Sequence, residues 1–280
     1  MSVLPAIFLV LMGAAFLLYP FISNYLNNRN AGAQIESYVQ KTEETDGAGT
    51  EELFRQAEEY NKQLFEGHIQ LTDPFDPDAV RVYTENYERQ LAVDDSGIMA
   101  YVEIPSIDVY LPVCHGTGDD VLQTAVGHLE GSSLPVGGGS THCVLSGHTG
   151  LRNARLFTDL TEVEEGDYFF VHVLDKELAY QVDQICVTEP DDVSELMIRR
   201  DMDYVTLVTC TPYGINSHRL LVRGVRTDYE RARSKTDKAP AFQDWDSQWM
   251  KQYRQALLTG FGILLVIVFI SKIIRRGGKK

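Results

Sequence analysis

The chain has 280 residues, of which 44% are hydrophobic and 23% are charged. This is enough apolar material for a folded domain with appendages, and too much for a disordered chain. The formal net charge of -15 argues against a protein that grips the phosphates of nucleic acids. Four cysteines without a C-x-x-C pair exclude a disulfide scaffold and a zinc ribbon.

The N-terminal end carries an apolar run without a charged side chain, over residues 3–22. About 20 helical residues span a bilayer core, so residues 1–28 are predicted to be a transmembrane anchor. Pro5 and Pro20 are expected near the ends of this helix, where proline is tolerated best. A cleaved signal peptide is the alternative, because residues 31–33 (AGA) resemble a cleavage site. No Lys or Arg precedes the run, which favours the anchor.

A second apolar run over residues 256–274 predicts a C-terminal transmembrane helix, followed by a basic tail at residues 275–280. Of the 25 basic residues, five lie from residue 272 onward, so the rest of the chain carries 20 bases against 40 acids. Positive charge beside a span marks its cytoplasmic side. We therefore expect a two-pass protein of the cell membrane, with both termini in the cytoplasm and the middle of the chain outside. A buried core helix is the alternative for this run, and the basic flank argues against it.

The first part of the middle region, residues 29–96, reads as an acidic helical segment. Leu53, Ala57, Tyr60 and Leu64 fall at helical spacing, after a predicted break at the DGAG of residues 46–49. Within the segment, residues 71–79 (LTDPFDPDA) hold two prolines close together. Proline stops a helix and restricts the residue before it, so this stretch is predicted to be extended or turned.

Residues 97–228 have the texture of a β domain. Seven or so short strands separated by Gly, Asp and Pro predict a closed barrel or a sandwich; their sequences are MAYVEIP, IDVYLPV, THCVLSG, YFFVHVL, LAYQVDQICVTE, YVTLVTC and HRLLVRGVR. Residues 229–255 are predicted to be a polar linker, helical near Trp245 and Trp249. The fold class expected is mainly β.

Three residues of this domain suit acyl transfer by a thiol. Cys210 ends one predicted strand before a turn, Arg219 begins the next, and antiparallel pairing would bring the two together. His148 follows the strand VLSG. A thiolate is a nucleophile, an imidazole moves protons, and a guanidinium offers fixed donors to an oxyanion. By residue type alone, each has an ordinary alternative: a core cysteine, a loop histidine and a surface arginine.

The sequence around these residues resembles the sortases. TLVTC followed by TPYGINSHRLLVRG, over residues 206–224, is similar to the sortase active-site signature, and SGHTG around His148 is similar to its histidine motif. The resemblance covers residues 97–226. It implies an eight-stranded β-barrel in a membrane-tethered cysteine transpeptidase of Gram-positive bacteria, without a cofactor. Such enzymes cleave an LPXTG-like sorting signal between Thr and Gly and pass the acyl group to an amine.

Two further features resemble class C, the pilus-assembly sortases. One is the second apolar run, and the other is Asp73-Pro74-Phe75, which is similar to the lid motif of that class. The resemblance implies that Asp73 pairs with Arg219, that Phe75 covers the Cys210 thiol, and that this lid moves before substrate enters. The partners implied are pilin subunits with C-terminal sorting signals and an acceptor lysine of the next pilin.

The remaining cysteines and histidines are predicted to be structural. Cys114, Cys143 and Cys186 lie on predicted strands, and at most one disulfide can form among them if Cys210 stays free. The other histidines show no metal-ligand spacing, and no acidic cluster is convincing, so no metal is predicted. His218, beside Arg219, is a candidate for shaping the site.

Three alternatives remain at this stage. The first is a sortase that anchors surface proteins to peptidoglycan. The second is a non-catalytic membrane receptor or scaffold with a β-barrel. The third is an L,D-transpeptidase, but that family carries an S-H-G-C pattern, and this chain has Val208 and Thr209 before its cysteine.

Overall fold

The computed structural model describes residues 4–67, 71–76, 84–151, 153–237, 247, 250–262 and 266. Two long helices, α1 (Leu4–Glu44) and α2 (Gly47–Gly67), precede the sheet. The shorter helices are α3 (Glu85–Glu88), α4 (Asp119–Leu122) and α5 (Tyr229–Thr236), and residues 250–262 are also helical. Single turns of 3₁₀-helix lie at Pro105–Ile107, Leu160–Glu162 and Ser194–Leu196.

Eight strands close into a barrel in the order β1-β2-β3-β4-β7-β8-β6-β5. The strands are β1 (Ile98–Ile104), β2 (Val109–His115), β3 (Val126–His128), β4 (Thr141–Ser146), β5 (Tyr168–Val173), β6 (Lys176–Thr188), β7 (Asp203–Thr211) and β8 (His218–Thr227). The pairs β2–β3 and β4–β7 are parallel, and the other neighbours are antiparallel. Closure leaves none of these eight strands with an unpaired edge. The eight-stranded barrel implied by the sequence is confirmed.

Strand β3 was absent from the strands read off the sequence. It has three residues, all of them buried, and therefore shows no alternation of polar and apolar positions. Its central Gly127 lies so close to the chain before α4 that a Cβ atom would meet the Gly116 carbonyl oxygen at 2.3 Å. Only glycine permits this approach.

The helix α1 runs without interruption past residue 28 and contains Pro20 in its interior. The expectation that Pro20 lies near the end of a helix is therefore wrong. Proline removes one backbone hydrogen bond, but packing further along holds the helix. Tyr38 is buried against the barrel, where its hydroxyl donates to the Met99 carbonyl (2.9 Å) and accepts from the Leu174 amide (2.8 Å).

The break between α1 and α2 is shorter than predicted. The carboxylate of Asp46 accepts a hydrogen bond from the Gly49 amide at 2.6 Å, so the predicted DGAG break starts the second helix. Aspartate before a helix satisfies amides that have no partner in the first turn.

Among the described residues, no helix combines the length and the apolar character needed to cross a bilayer. Residues 1–3, and the side chains of residues 4–11, lie outside the described part of the chain. Most of the predicted second span and the whole basic tail lie outside it too.

The polar linker predicted to begin at residue 229 starts instead as a helix docked on the barrel. Asp228 caps α5 by accepting from the Arg231 amide at 2.8 Å, and Ala232 is fully buried. Arg233 donates to both carboxylate oxygens of Glu103 at 2.7 and 2.6 Å. Composition did not reveal this helix, because its docking depends on an ion pair and an aromatic cluster formed with strands distant in the sequence. Trp245 and Trp249 lie outside the described residues.

Candidate active site

Cys210 and Arg219 face each other across the antiparallel pair β7–β8. The register places Cys210 directly opposite Arg219, and Thr211 opposite His218, at the end of the hairpin. Both Cys210 and Arg219 are largely buried, with 7% and 8% of their surfaces exposed. The short connection between the strands therefore brings a thiol and a guanidinium together at one rim of the barrel.

His148 reaches the same rim through the parallel pair β4–β7. Ser146 pairs with Val208 at the end of this ladder. Hydrogen bonds then continue it, because the Gly147 amide donates to the Val208 carbonyl (3.0 Å) and the Thr209 hydroxyl donates to the Gly147 carbonyl (2.7 Å). Since the two strands run in the same direction, His148 follows the end of β4 at the level where β7 reaches Cys210.

The segment Asp73–Phe75 forms a turn over this rim. The Asp76 amide donates to the Asp73 carbonyl at 3.3 Å, and Pro74 occupies the second position, which its fixed φ angle favours. The two carboxylate oxygens of Asp73 accept from Nε (2.8 Å) and Nη2 (2.5 Å) of Arg219. Each of these two side chains is only 10% exposed. The structure therefore contains the Asp73–Arg219 pair that the resemblance implied.

Phe75 links the arginine to the histidine. Its ring centroid lies 5.4 Å from the His148 ring and 5.3 Å from the Arg219 guanidinium carbon. The same ring packs on an apolar cluster that includes Leu71 and Val208. The segment Asp73–Phe75 thus lies against both Arg219 and His148. Direct cover of the Cys210 thiol by Phe75 stays a prediction.

Electrostatics favour an uncharged thiol and imidazole beneath the lid. Burial raises the pKa of Cys210; Arg219 opposes the shift and Asp73 adds to it. Burial lowers the pKa of His148, against a smaller opposing effect of Asp119. Burial alone would also lower the pKa of Arg219, but the hydrogen bonds that it donates to Asp73 hold this pKa above its usual value. The arginine therefore stays charged, and its Nε and Nη2 groups are bonded to Asp73.

One contributor to the site escaped the sequence analysis. The Asn216 carbonyl accepts from Arg219 Nη1 at 3.2 Å, together with the His218 carbonyl at 3.1 Å. Asn216 has a φ of 60°, a left-handed conformation that asparagine tolerates better than most residues. The sequence signal for this left-handed residue is the asparagine itself, near the end of the predicted turn. His218 contributes through its backbone, while its exposed ring contacts Ser217 at 2.8 Å.

Of the other cysteines, Cys143 is buried, and Cys114 and Cys186 are partly buried. All four cysteines are free thiols, so the disulfide considered as possible does not form in this structure. His128 and His142 are buried and hydrogen-bonded within the barrel, and burial lowers the pKa of each to about 4. Within the described residues, no group of three potential ligands could hold a metal ion.

Comparison with known proteins agrees with this geometry. The sortase domain model matches residues 102–227. Sortase C of Streptococcus pneumoniae is 45% identical, with a TM-score of 0.64, over 70% of this chain and 97% of that one. Sortase C-1 of Actinomyces oris is 43% identical, with a TM-score of 0.59, over 64% and 99% of the two chains. Sortase D of Bacillus subtilis is 32% identical over 118 residues, which are 42% of this chain and 55% of that protein. The match therefore spans about half of that curated relative.

A barrel whose rim carries a cysteine, a histidine and an arginine has the fold and the site of a cysteine transpeptidase. The matches to the solved class C enzymes extend over more of the chain than the barrel. The chain belongs to the sortase family, and the resemblance to class C seen in its sequence is confirmed. Family membership argues against the receptor and the L,D-transpeptidase considered above.

Proposed function

We propose that the protein polymerises pilins. It would cleave an LPXTG-like sorting signal between Thr and Gly, and join the new acyl end to a lysine of the next pilin. The observation that carries this proposal is the Asp73–Phe75 turn seated on Arg219 and His148. Two of the similar structures support it: sortase C of Streptococcus pneumoniae gives insight into pilin substrate specificity, and sortase C of group B Streptococcus is pilus-related.

In the first half-reaction, His148 takes the thiol proton of Cys210, and the resulting thiolate attacks the carbonyl carbon of the substrate threonine. Arg219 stabilises the negative charge that develops on the carbonyl oxygen. The C–N bond to glycine breaks, and His148 gives its proton to the departing amine. The product is a thioester between the substrate and Cys210.

In the second half-reaction, a neutral lysine amine attacks the thioester. His148 accepts the proton that the amine loses, and the sulfur of Cys210 leaves as a thiolate. An isopeptide bond joins the two pilins, and transfer of the proton from His148 to the Cys210 thiolate returns the enzyme to its starting form. The identity of the amine that attacks the thioester distinguishes a pilus enzyme from a sortase that uses a cell-wall amine.

The lid must open before either step. With Asp73 in place, Nε and Nη2 of Arg219 are engaged by a carboxylate, and Nη1 by two backbone carbonyls. A substrate carbonyl can use the first two donors only after Asp73 leaves. Movement of the lid would thus precede substrate binding.

The location we propose is the cell membrane, with the barrel outside and both termini in the cytoplasm. The apolar runs at residues 3–22 and 256–274, and the basic residues after the second, support this orientation. Protease added to intact protoplasts should cut a tag inserted in the barrel and spare a tag at the C-terminus. Cleavage of the C-terminal tag would contradict the orientation.

The test of the function uses the full chain, a pilin with a sorting signal, and a Cys210→Ala control. We expect a ladder of covalent pilin polymers and a mass-detected acyl adduct on Cys210, both absent from the variant. Transfer to a peptidoglycan-type amine without any pilin ladder would favour the cell-wall anchoring sortase. Absence of an acyl adduct would contradict both enzymatic functions.

A further inference from the structure

The stretch that follows His148 along the chain is held from outside the barrel by α1. The Asn24 side-chain oxygen accepts from the Arg155 amide at 3.1 Å, and the Ser23 hydroxyl donates to the Asn153 carbonyl at 3.3 Å. These contacts join residues about 130 positions apart in the sequence. They tie a helix of the predicted membrane anchor region to the neighbourhood of the catalytic histidine.

The held stretch is in turn bonded to His148. The Phe157 amide donates to the His148 carbonyl at 3.1 Å. The Phe157 ring is fully buried. It lies so close to Gly147, the residue before His148, that a Cβ atom on this glycine would approach the ring to 2.7 Å. A displacement of Phe157 would therefore be transmitted to the backbone that carries the imidazole.

Leu156, between these two anchoring points, has a strained backbone. Its φ of 41° lies in the left-handed region, which a bulky side chain rarely adopts. Such a conformation persists only where the surroundings fix it on both sides. Here the bond from Arg155 to Asn24 fixes one side, and the bond from Phe157 to His148 fixes the other.

The face of α1 turned towards this stretch is polar. Asn24, Asn27 and Asn28 follow the helical spacing of three and four residues, so they share one face. Asn28 lines a small cavity together with Leu156 and Asp159. Of these three side chains, that of Asn24 accepts from a backbone amide of the nearby turn.

We propose that Asn24 is a positioning residue for His148, acting through Arg155, Leu156 and Phe157. The inference rests on the proposed function only in taking His148 as the acid and base of the reaction. The strained turn keeps the imidazole at a fixed place under the lid, and α1 keeps the turn strained. The helix is then part of the catalytic apparatus in addition to any anchoring role.

The test compares Asn24→Ala with two other variants in the full chain. Asn24→Asp retains an acceptor oxygen for the Arg155 amide and should restore the wild-type behaviour. Asn30→Ala makes the same change as Asn24→Ala on an exposed position of the same helix and serves as the control. Each protein is assayed for kcat and KM of thioester formation with a sorting peptide, and for the NMR titration of ring-labelled His148.

For Asn24→Ala we expect kcat to fall about fivefold, which corresponds to the loss of about one hydrogen bond, with little change in KM. Since burial lowers the pKa of His148, release of the turn should move its titration midpoint upwards, towards that of a solvated imidazole. Asn24→Asp and Asn30→Ala should both match wild type.

An unchanged titration midpoint of His148 in Asn24→Ala would overturn the inference, whatever happens to thermal stability. So would an equal loss in Asn30→Ala. The titration is independent of turnover, so it still decides the role of Asn24 if the wild-type enzyme forms no acyl adduct. That last outcome would instead contradict the proposed function.

Discussion

At the scale of single residues, the site is dominated by the ion pair of Asp73 with Arg219. The pair is bidentate and nearly buried, so removal of one partner leaves a charge without compensation. Asp73 engages Nε and Nη2 of the arginine and so keeps these two donors from any other acceptor. The same carboxylate also adds to the elevation of the Cys210 pKa. One residue thus affects both access to the site and the reactivity of its nucleophile.

Replacing Asp73 with alanine should make the thiol more reactive. Loss of the carboxylate and opening of the lid remove two influences that raise the pKa of Cys210, so more thiolate forms at neutral pH. Each unit by which the pKa falls gives about tenfold more thiolate below that pKa. The rate of alkylation by a small thiol reagent, measured against pH, should rise and its midpoint should move to lower pH.

Two further variants make this prediction specific. Phe75→Ala should also raise the alkylation rate, because the ring packs beside Arg219 and His148. Asp191→Ala, at an exposed aspartate in the connection from β6 to β7, should leave the rate unchanged. If Asp73→Ala and Asp191→Ala are alkylated equally fast, the lid does not control the thiol.

At the scale of elements, α5 shows how a helix attaches to the barrel through few contacts. Arg233 is bidentate to Glu103 and lies 4.0 Å from the centroid of the Phe170 ring. Burial alone would raise the pKa of Glu103, but hydrogen bonds from His172 and Arg233 lower it to about 2. The docking of α5 therefore depends on a charged carboxylate.

Glu103→Gln should release α5 from the barrel. Loss of the charge weakens two hydrogen bonds to the guanidinium, and we expect docking to weaken by about 2 kcal/mol. Hydrogen exchange of α5 amides should accelerate in this variant, and not in a Glu165→Gln control at an exposed position.

Acid should have the same effect on the wild type. The carboxylate favours the docked state above its unfolded pKa of about 4.5, and this contribution disappears as the pH falls from there to about 2. Hydrogen exchange of α5 that is insensitive to pH over this window would contradict the role given to Glu103.

At the scale of the whole molecule, two buried histidines make the barrel sensitive to mild acid. His128 and His142 are 0% and 1% exposed, and burial holds the pKa of each at about 4. The unfolded chain binds protons at these sites near pH 6.5, where the folded protein does not. At pH 7 neither state is protonated at these sites, but below pH 6.5 protons bind to the unfolded chain first, so each histidine lowers the stability of the fold by up to about 3 kcal/mol as the pH falls to 4.

The measurement is the free energy of unfolding in urea as a function of pH. His142→Gln should flatten the slope between pH 6.5 and 4, even if the variant is less stable at every pH. An unchanged slope in this variant would show that His142 does not contribute to it.

Much of the barrel was predictable because its determinants are local. Seven strands alternate or end at Gly, Asp and Pro, and the motifs around His148 and Cys210 resemble a known family. The sequence did not predict the features that depend on distant partners. Strand β3 is too short and too buried to show a period, and α5 docks through Glu103, some 130 residues away. The hold of α1 on Arg155 is equally non-local.

The turn that carries Asp73 has a consequence for how substrates compete. Because this carboxylate is covalently tethered near its arginine, it acts as a built-in ligand with an effective concentration in about the millimolar range. A free peptide at low concentration competes poorly with this carboxylate for Arg219. A protein substrate concentrated on the same surface reaches a higher local concentration and competes better. Turnover would then rise steeply with local substrate density, and assays with short peptides in solution would underestimate the rate.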